Sequence, residues 1–187
     1  MTEDSVQEMY NNYSELPLAS YNCAKYLLNN NDLLWKLLYY SDPNAYKNDS
    51  AHPVLSGSSK GALIYNGDPD ETKYRVFFDV GQDDAWMGAN CVLRIAPYNI
   101  DPTNHIYGQV SMLFQCYAAY KINTLSNYNI RTLKVIQQVL ETLNGADVGA
   151  GIGRLYFDAR ASRYCNMKIG GQINFKSYNL VMCNWIA

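Results

Sequence analysis

The sequence predicts an α/β fold of the α+β kind: a mostly antiparallel sheet of about five to six strands flanked by helices. Three observations predict it. Apolar residues alternate with a period of two from Lys73 onward and again in several later runs. One strong stripe at helical period occupies about 128–144. The first forty residues read as helical and are followed by a long loop, 41–72, rich in Asp, Asn, Ser, Gly and Pro. At 187 residues, one domain with one core is the expectation.

In the N-terminal segment Cys23, Leu27 and, less cleanly, Tyr26 share a helical face until Asn29-Asn30-Asn31-Asp32 interrupts it. Asp32 can cap a second short helix, Leu33 to Tyr40, in which Leu34, Leu37 and Leu38 recur at helical spacing and Trp35, Tyr39 and Tyr40 read as packing residues. Loops as long as Ser41–Glu71 are, inside compact domains, functional or disordered. Tyr74, Val76, Phe78 and Val80 then alternate with Arg75, Phe77 and Asp79, which reads as a strand. Gly81–Gly88 is a loop, Cys91–Ala96 a second strand, and Pro97–His105 another loop. Tyr107–Ile122 is a long third strand with Val110, Met112, Phe114 and Cys116 on one face. Three strands joined by loops without a helix predict an antiparallel meander.

The main helix carries Ile130, Leu133, Ile136, Leu140 and Leu143 as its stripe, with Val139 beside it and Arg131, Lys134, Gln137, Gln138 and Glu141 elsewhere. Asn127 or Asn129 can cap its start, and Asn144-Gly145 supplies a left-handed stop. Three extended segments follow: Arg154–Ala159, Tyr164–Phe175 and Tyr178–Ile186.

Composition narrows the function. With 15 basic and 17 acidic residues and no Lys/Arg-rich run, the chain lacks the footprint of a nucleic-acid binder. Its apolar runs are too short to span a bilayer, and Met1–Ser5 does not begin a secretory signal, so folding in a cytoplasm is expected. The five cysteines have no paired metal spacing; buried free thiols are the expectation. Charged residues make up 17%, against ~25% in typical soluble domains, while tyrosine occurs 17 times. Tyr is enriched and Lys, Glu and Asp are depleted in interface cores, so this balance suits a surface hidden by partners. An AT-rich genome, which favours Asn and Tyr codons, produces the same bias.

Motifs for chemistry are weak. In Gly145–Gly153 the order is helix, glycines, strand, the reverse of a phosphate loop, so the tract reads as a helix stop and turn. Asp79, Asp83 and Asp84 lack metal spacing, and His52 and His105 read as surface loop residues without a triad or zinc partner set. No catalytic residue, metal site or cofactor is expected. Trp86, in an Asp-rich loop, is a candidate interface anchor, with Asp83, Asp84, Tyr98 and His105 as further interface candidates. Tyr98 and Tyr107 could stack on bases, but the interleaved Lys/Arg of that mechanism are missing.

The run His105-Ile-Tyr-Gly-Gln-Val-Ser-Met-Leu-Phe-Gln-Cys-Tyr, the helix Leu125–Gly145 and the exit Gly151-Ile-Gly-Arg-Leu-Tyr-Phe resemble head–tail neck proteins of tailed bacteriophages, of the tail-terminator or connector ring type. The opening Tyr26–Tyr40 is similar too. The resemblance implies a non-enzymatic virion protein forming a homo-oligomeric ring, commonly a hexamer or dodecamer, between portal and tail. Its partners would be other neck, portal and tail proteins, with DNA passing through the channel without sequence-specific binding and no membrane involved. Loops Ser41–Glu71 and Gly81–Gly88 would meet neighbouring rings. The Asn- and Tyr-rich first forty residues and the long loop exceed a minimal terminator. Two other readings are a cytoplasmic adaptor or small-ligand-binding α+β module, with an apolar pocket under the helix, and an enzyme using Asp79, Asp83, Asp84 and His105.

Overall fold

In the computed structural model the described residues are 16–79, 90–102, 108–149, 154–169 and 172–184. A 3-10 turn at Leu16–Leu18 leads into α1 (Ala19–Asn30) and α2 (Asp32–Tyr39). After a short α3 (Gly57–Gly61) come β1 (Val76–Phe77), β2 (Cys91–Pro102) and β3 (Gly108–Ala119). Helix α4 (Arg131–Leu143) then precedes β4 (Leu155–Ile169) and β5 (Gln172–Asn184). The class is α+β, as expected.

The sheet order is β1-β2-β3-β5-β4. Chain order and spatial order diverge after β3: α4 carries the chain past the place that β5 later fills, making a split β-α-β unit. The expected meander is corrected in two ways. The first strand is only Val76–Phe77, and it runs parallel to β2, with Ile64 bridged in parallel beyond it. Connections without a helix suggest hairpins, but the chain from Phe78 to Asn90 is long enough for a crossover. Likewise β2 does not stop at Ala96. It continues to Pro102 through a register shift between Pro97 and Asn99, because a bulge absorbs the missing proline N–H.

The three extended segments expected after α4 form only two strands. The expected break after Ala159 is an irregularity within β4, between Asp158 and Arg163. The Ile169↔Gln172 pair joins the end of β4 to the start of β5. The third strand ends at Ala119, and Tyr120–Ile122 is a 3-10 turn.

Register puts Cys91, Leu93 and Ile95 on one face with Phe114, Cys116, Leu180 and Met182, all buried. Helices α1 and α2 lie against β2, and α4 against β3 and β5. The other face of β2 and β3 is also buried, at Val92, Arg94, Ala96, Leu113 and Tyr117. That two-sided burial explains why Cys91–Ala96 is nearly continuous in apolar character rather than alternating.

The helix junction is made by asparagine. Asn31, not Asp32, is the N-cap of α2: its Oδ1 accepts from the Leu34 amide at 2.8 Å. Its Nδ2 donates to Thr142 Oγ1 at 2.7 Å, tying the α1–α2 elbow to α4. Asp32 instead pairs with the buried Lys60.

The segment 41–72 is packed rather than extended. It contains α3, contributes Ala45 and Leu63 to the core, and is held by two buried lysines. Lys36 donates to the Lys47 carbonyl and to Asn48 Oδ1, and Lys60 to the Leu28 carbonyl and Asp32. Each ammonium gains fixed oxygen acceptors in exchange for its hydration, which lets a lysine sit in a core.

Helix α4 is rotated from the expected stripe. Ile136, Val139 and Leu143 face the core as expected, but Arg131, Thr132 and Val135 join them, while Ile130 and Leu133 are exposed. Neither Asn127 nor Asn129 caps the helix. Asn123 does so from nine residues away, its Oδ1 accepting from the Thr132 amide at 3.1 Å and its carbonyl from the Arg131 amide at 2.7 Å. The stop is as expected: Gly145 has φ +77°, and its amide donates to the Leu155 carbonyl at 2.7 Å. The amides of the glycine tract at Gly145 and Gly149 are thus used inside the turn, the second bonding Asp147 Oδ1 at 2.9 Å.

Candidate interface

The surface that stands out is built behind Arg131. The guanidinium is fully buried and faces backbone carbonyls: Nε donates to Ile122 at 2.8 Å, one terminal nitrogen to Leu37 at 2.8 Å and Tyr40 at 2.6 Å, the other to Asp42 at 2.6 Å. Leu37 and Tyr40 belong to the C-terminal end of α2, whose last carbonyls lack intrahelical partners. One planar side chain therefore closes a helix end and pins two loops to the start of α4. Burial pushes its basicity down, offset by nearby thiols and Asp42, without bringing an arginine near neutrality.

The loops so pinned are laced to one another. Ser126 donates through its amide to Pro43 O at 2.9 Å and through Oγ to Asn44 Oδ1 at 2.6 Å, and Tyr46 OH lies 3.1 Å from Ser126 Oγ. At their tip Tyr128 has φ +64° and is 92% exposed. A left-handed tyrosine costs on the order of 1–2 kcal/mol, so the tight turn closed by Leu125 and Asn129 imposes it. Tyr120, Ile130 and Leu133, in the chain that leaves β3 and opens α4, are exposed as well.

A second group lies at the other end. Tyr98 is the extra residue of the β2 bulge, between the Pro97↔Met112 and Asn99↔Ser111 pairs, and it is 60% exposed. Met112 pairs with Met182, and Met182 with Phe157, so Phe157 and its neighbour Tyr156 share this end; both are exposed. From Met112 to Ala119 is roughly 24 Å along the strand at about 3.4 Å per residue. Exposed aromatic residues thus occur at two well-separated levels of one sheet.

Of the expected interface residues, Tyr98 is exposed. Trp86, Asp83, Asp84 and His105 lie outside the described residues. Asp79 is ion-paired with the buried Arg94, whose guanidinium also lies 5.2 Å from the Phe77 ring centroid.

His52 is a correction: it is buried, not a surface residue. Its Nδ1 is 2.8 Å from Asp49 Oδ1 and its Nε2 2.9 Å from Asp42 Oδ2, with the Tyr40 ring edge-on at 5.1 Å. Hydrogen bonding to Asp49 first, and then to Asp42, raises its pKa against the opposing effect of burial. Partial burial pushes Asp42 up, but the Asn44 amide and His52 outweigh it; Asp49 is lowered chiefly by His52. With both ring nitrogens engaged, His52 is a clasp for the 42–52 loop rather than an available base. The signs fix its pH window. The raised histidine stabilises fully below the ordinary value of about 6.5 and loses that contribution as pH rises through its folded pKa. The lowered carboxylates act above about 3.9 and lose theirs as pH falls through their folded values. Thermal unfolding followed from pH 6 to 9 is therefore expected to show a falling midpoint in the native chain and a flatter profile in His52→Gln; equal slopes would remove the clasp.

Sequence reasoning missed Arg131, because an arginine beside a stripe reads as solvent-facing. It also missed that Cys91 and Cys116, 25 residues apart, meet with their sulfurs 3.8 Å apart. Cys23, Cys91 and Cys116 are free and buried, as expected. Among the described residues no group of three or more His, Cys, Asp or Glu is placed to hold a metal ion, and no helix is long and apolar enough to cross a membrane.

A family model, YomW, matches residues 30–182. No curated protein and no solved structure matches the chain.

Proposed function

The chain belongs to the YomW family and is a phage-associated protein; from that premise we propose that it is a structural subunit of the virion neck of a tailed phage. In this reading copies of the chain close into a ring, of tail-terminator or connector type, which joins the portal to the tail around the DNA channel. The observation that supports the reading is that exposed aromatic residues lie at two well-separated levels of the sheet, Tyr120 and Tyr128 at one, Tyr98, Tyr156 and Phe157 at the other. A ring needs a heterologous contact, in which one surface of a protomer meets a different surface of the next; a twofold dimer needs only one self-complementary patch. The 120–133 patch is held on loops pinned by Arg131, so little ordering cost remains to be met on association. The near-neutral charge, −2, suits a channel past which DNA slides without being held by phosphate contacts.

Native mass spectrometry with negative-stain imaging tests this directly. A closed ring of six 21.2-kDa chains, near 127 kDa, or of twelve is the expected result. Tyr128→Glu and Tyr156→Glu should each weaken assembly, by about 2 kcal/mol or ~30-fold if these tyrosines act as anchors. Mixed together, the two variants retain one intact surface each and should form a 1:1 dimer that neither forms alone. Monomers in the native chain and in the mixture would sink the heterologous ring.

A further inference from the structure

We propose that Cys91 and Cys116 are a peroxide-responsive dithiol, a site of reversible modification that closes into a disulfide across β2 and β3. Cys91 pairs with Ala118 and Cys116 with Leu93, so the two are diagonal neighbours on the helix-covered face, with Sγ atoms 3.8 Å apart. A disulfide bond is about 2.05 Å, so each sulfur has to move by about 1 Å, and because diagonal neighbours lie about 7–8 Å apart the end of β2 has to shift toward β3 as the bond forms. Both thiols are fully buried, yet Cys91 is the first residue of β2, and strand ends open locally at far less cost than the whole fold.

The surroundings divide the labour between the sulfurs. The hydrogen bond from Cys116 lowers the pKa of Cys91 against the effect of burial, and the charges of Arg131 and Arg75 add to that. Cys116 is raised well above the usual thiol range by burial and then by Cys91. Cys23 is the internal control: equally buried but without such partners, it is pushed up to about 12. Cys91, at the strand end that opens, is the sulfur that peroxide reaches first, and Cys116, further inside the sheet, is the one that resolves.

The chemistry balances with peroxide as the oxidant. The Cys91 thiolate attacks one peroxide oxygen, the O–O bond breaks, and hydroxide leaves, taking the thiol proton as water. The sulfur is now a sulfenic acid. Cys116 loses its proton and attacks Cys91 Sγ; the S–OH bond breaks and a second water departs. Two thiols and one hydrogen peroxide become one disulfide and two waters. If the virion reading holds, such a closure would lock a subunit folded under reducing conditions after its release from the cell; the chemistry itself does not depend on that reading.

The test uses the purified full chain under native conditions with dilute hydrogen peroxide, quenched by alkylation. Intact mass should fall by two hydrogens, peptide mapping should join Cys91 to Cys116, and Cys23 should stay alkylatable only after unfolding. The thermal midpoint should rise by roughly 5–10 °C and return on addition of dithiothreitol, since the cross-link closes a loop of 25 residues. In Cys116→Ala, Cys91 should gain oxygen instead of losing hydrogen. No change before unfolding, pairing with another cysteine, or sulfinic acid at Cys91 of the native chain would each overturn the proposal, and the native-chain readout stands even if the variant fails to fold.

Discussion

Arg131→Met is expected to lower stability by roughly 4 kcal/mol, because four carbonyl contacts, two buried and two part-buried, lose their donor at about 1 kcal/mol each. Domain stability is typically about 5–15 kcal/mol, so the variant should be close to unfolding at ambient temperature. Methionine fills much of the space, so the loss isolates hydrogen bonding from cavity formation. The carbonyls come from Leu37, Tyr40, Asp42 and Ile122, so the damage should concentrate in the loops and not in the sheet. Arg131→Lys should recover only part, since an ammonium has three donors and no planar fork to reach two chain segments at once. Hydrogen exchange is the informative probe. Amides of 41–53 and 120–130 should lose protection first, and Tyr128-dependent assembly should fail with them. A melting midpoint for Arg131→Met within about 2 °C of the native chain would show that the hub is not structural.

Trp35→Ala should cost a similar amount, about 3–5 kcal/mol, through a different mechanism. Trp35 is fully buried in α2, and its indole Nε1 donates to the Leu27 carbonyl of α1 at 3.1 Å. It both fills space in the core and adds a second donor to the Leu27 carbonyl, which also accepts from the Asn31 amide at 3.0 Å. Trp35→Phe keeps most of the ring and loses the donor, so it should cost about 1 kcal/mol for the hydrogen bond plus a smaller packing loss. Urea unfolding of the pair separates the two contributions. Equal losses for Ala and Phe would mean that the hydrogen bond, not the packed ring, dominates.

These two residues also mark how far the sequence could be read. Trp35 was legible: it lies among Leu34, Leu37 and Leu38 in a short helix, and burial follows from the company it keeps. Arg131 was not, because nothing in its local pattern counts the carbonyls left over at the end of α2, ninety residues earlier. Its burial turns α4 and brings Ile130 and Leu133 to the surface. The candidate interface around Tyr128 is thus a consequence of a polar contact that periodicity cannot see. Tyr98 was legible as a candidate because it is an aromatic in Pro97–His105, a segment that reads as a loop. That it is the inserted residue of a bulge follows from pairing with β3 alone.

The sequence by itself determined the α+β class, the paired helices at the N-terminus, the long helix with its glycine stop and the apolar face of β3. Each rests on local periodicity or on a residue with a fixed backbone preference, and such signals survive without knowledge of neighbours. Tertiary structure decided the rest. The parallel pairing of β1, the insertion of β5 between β3 and β4, the Asn123 cap, the His52 clasp and the Cys91–Cys116 contact all join segments whose meeting is set by sheet register and by the accounting of buried polar groups. Register and hydrogen-bond satisfaction are properties of the folded whole, since each depends on which distant segment supplies the partner.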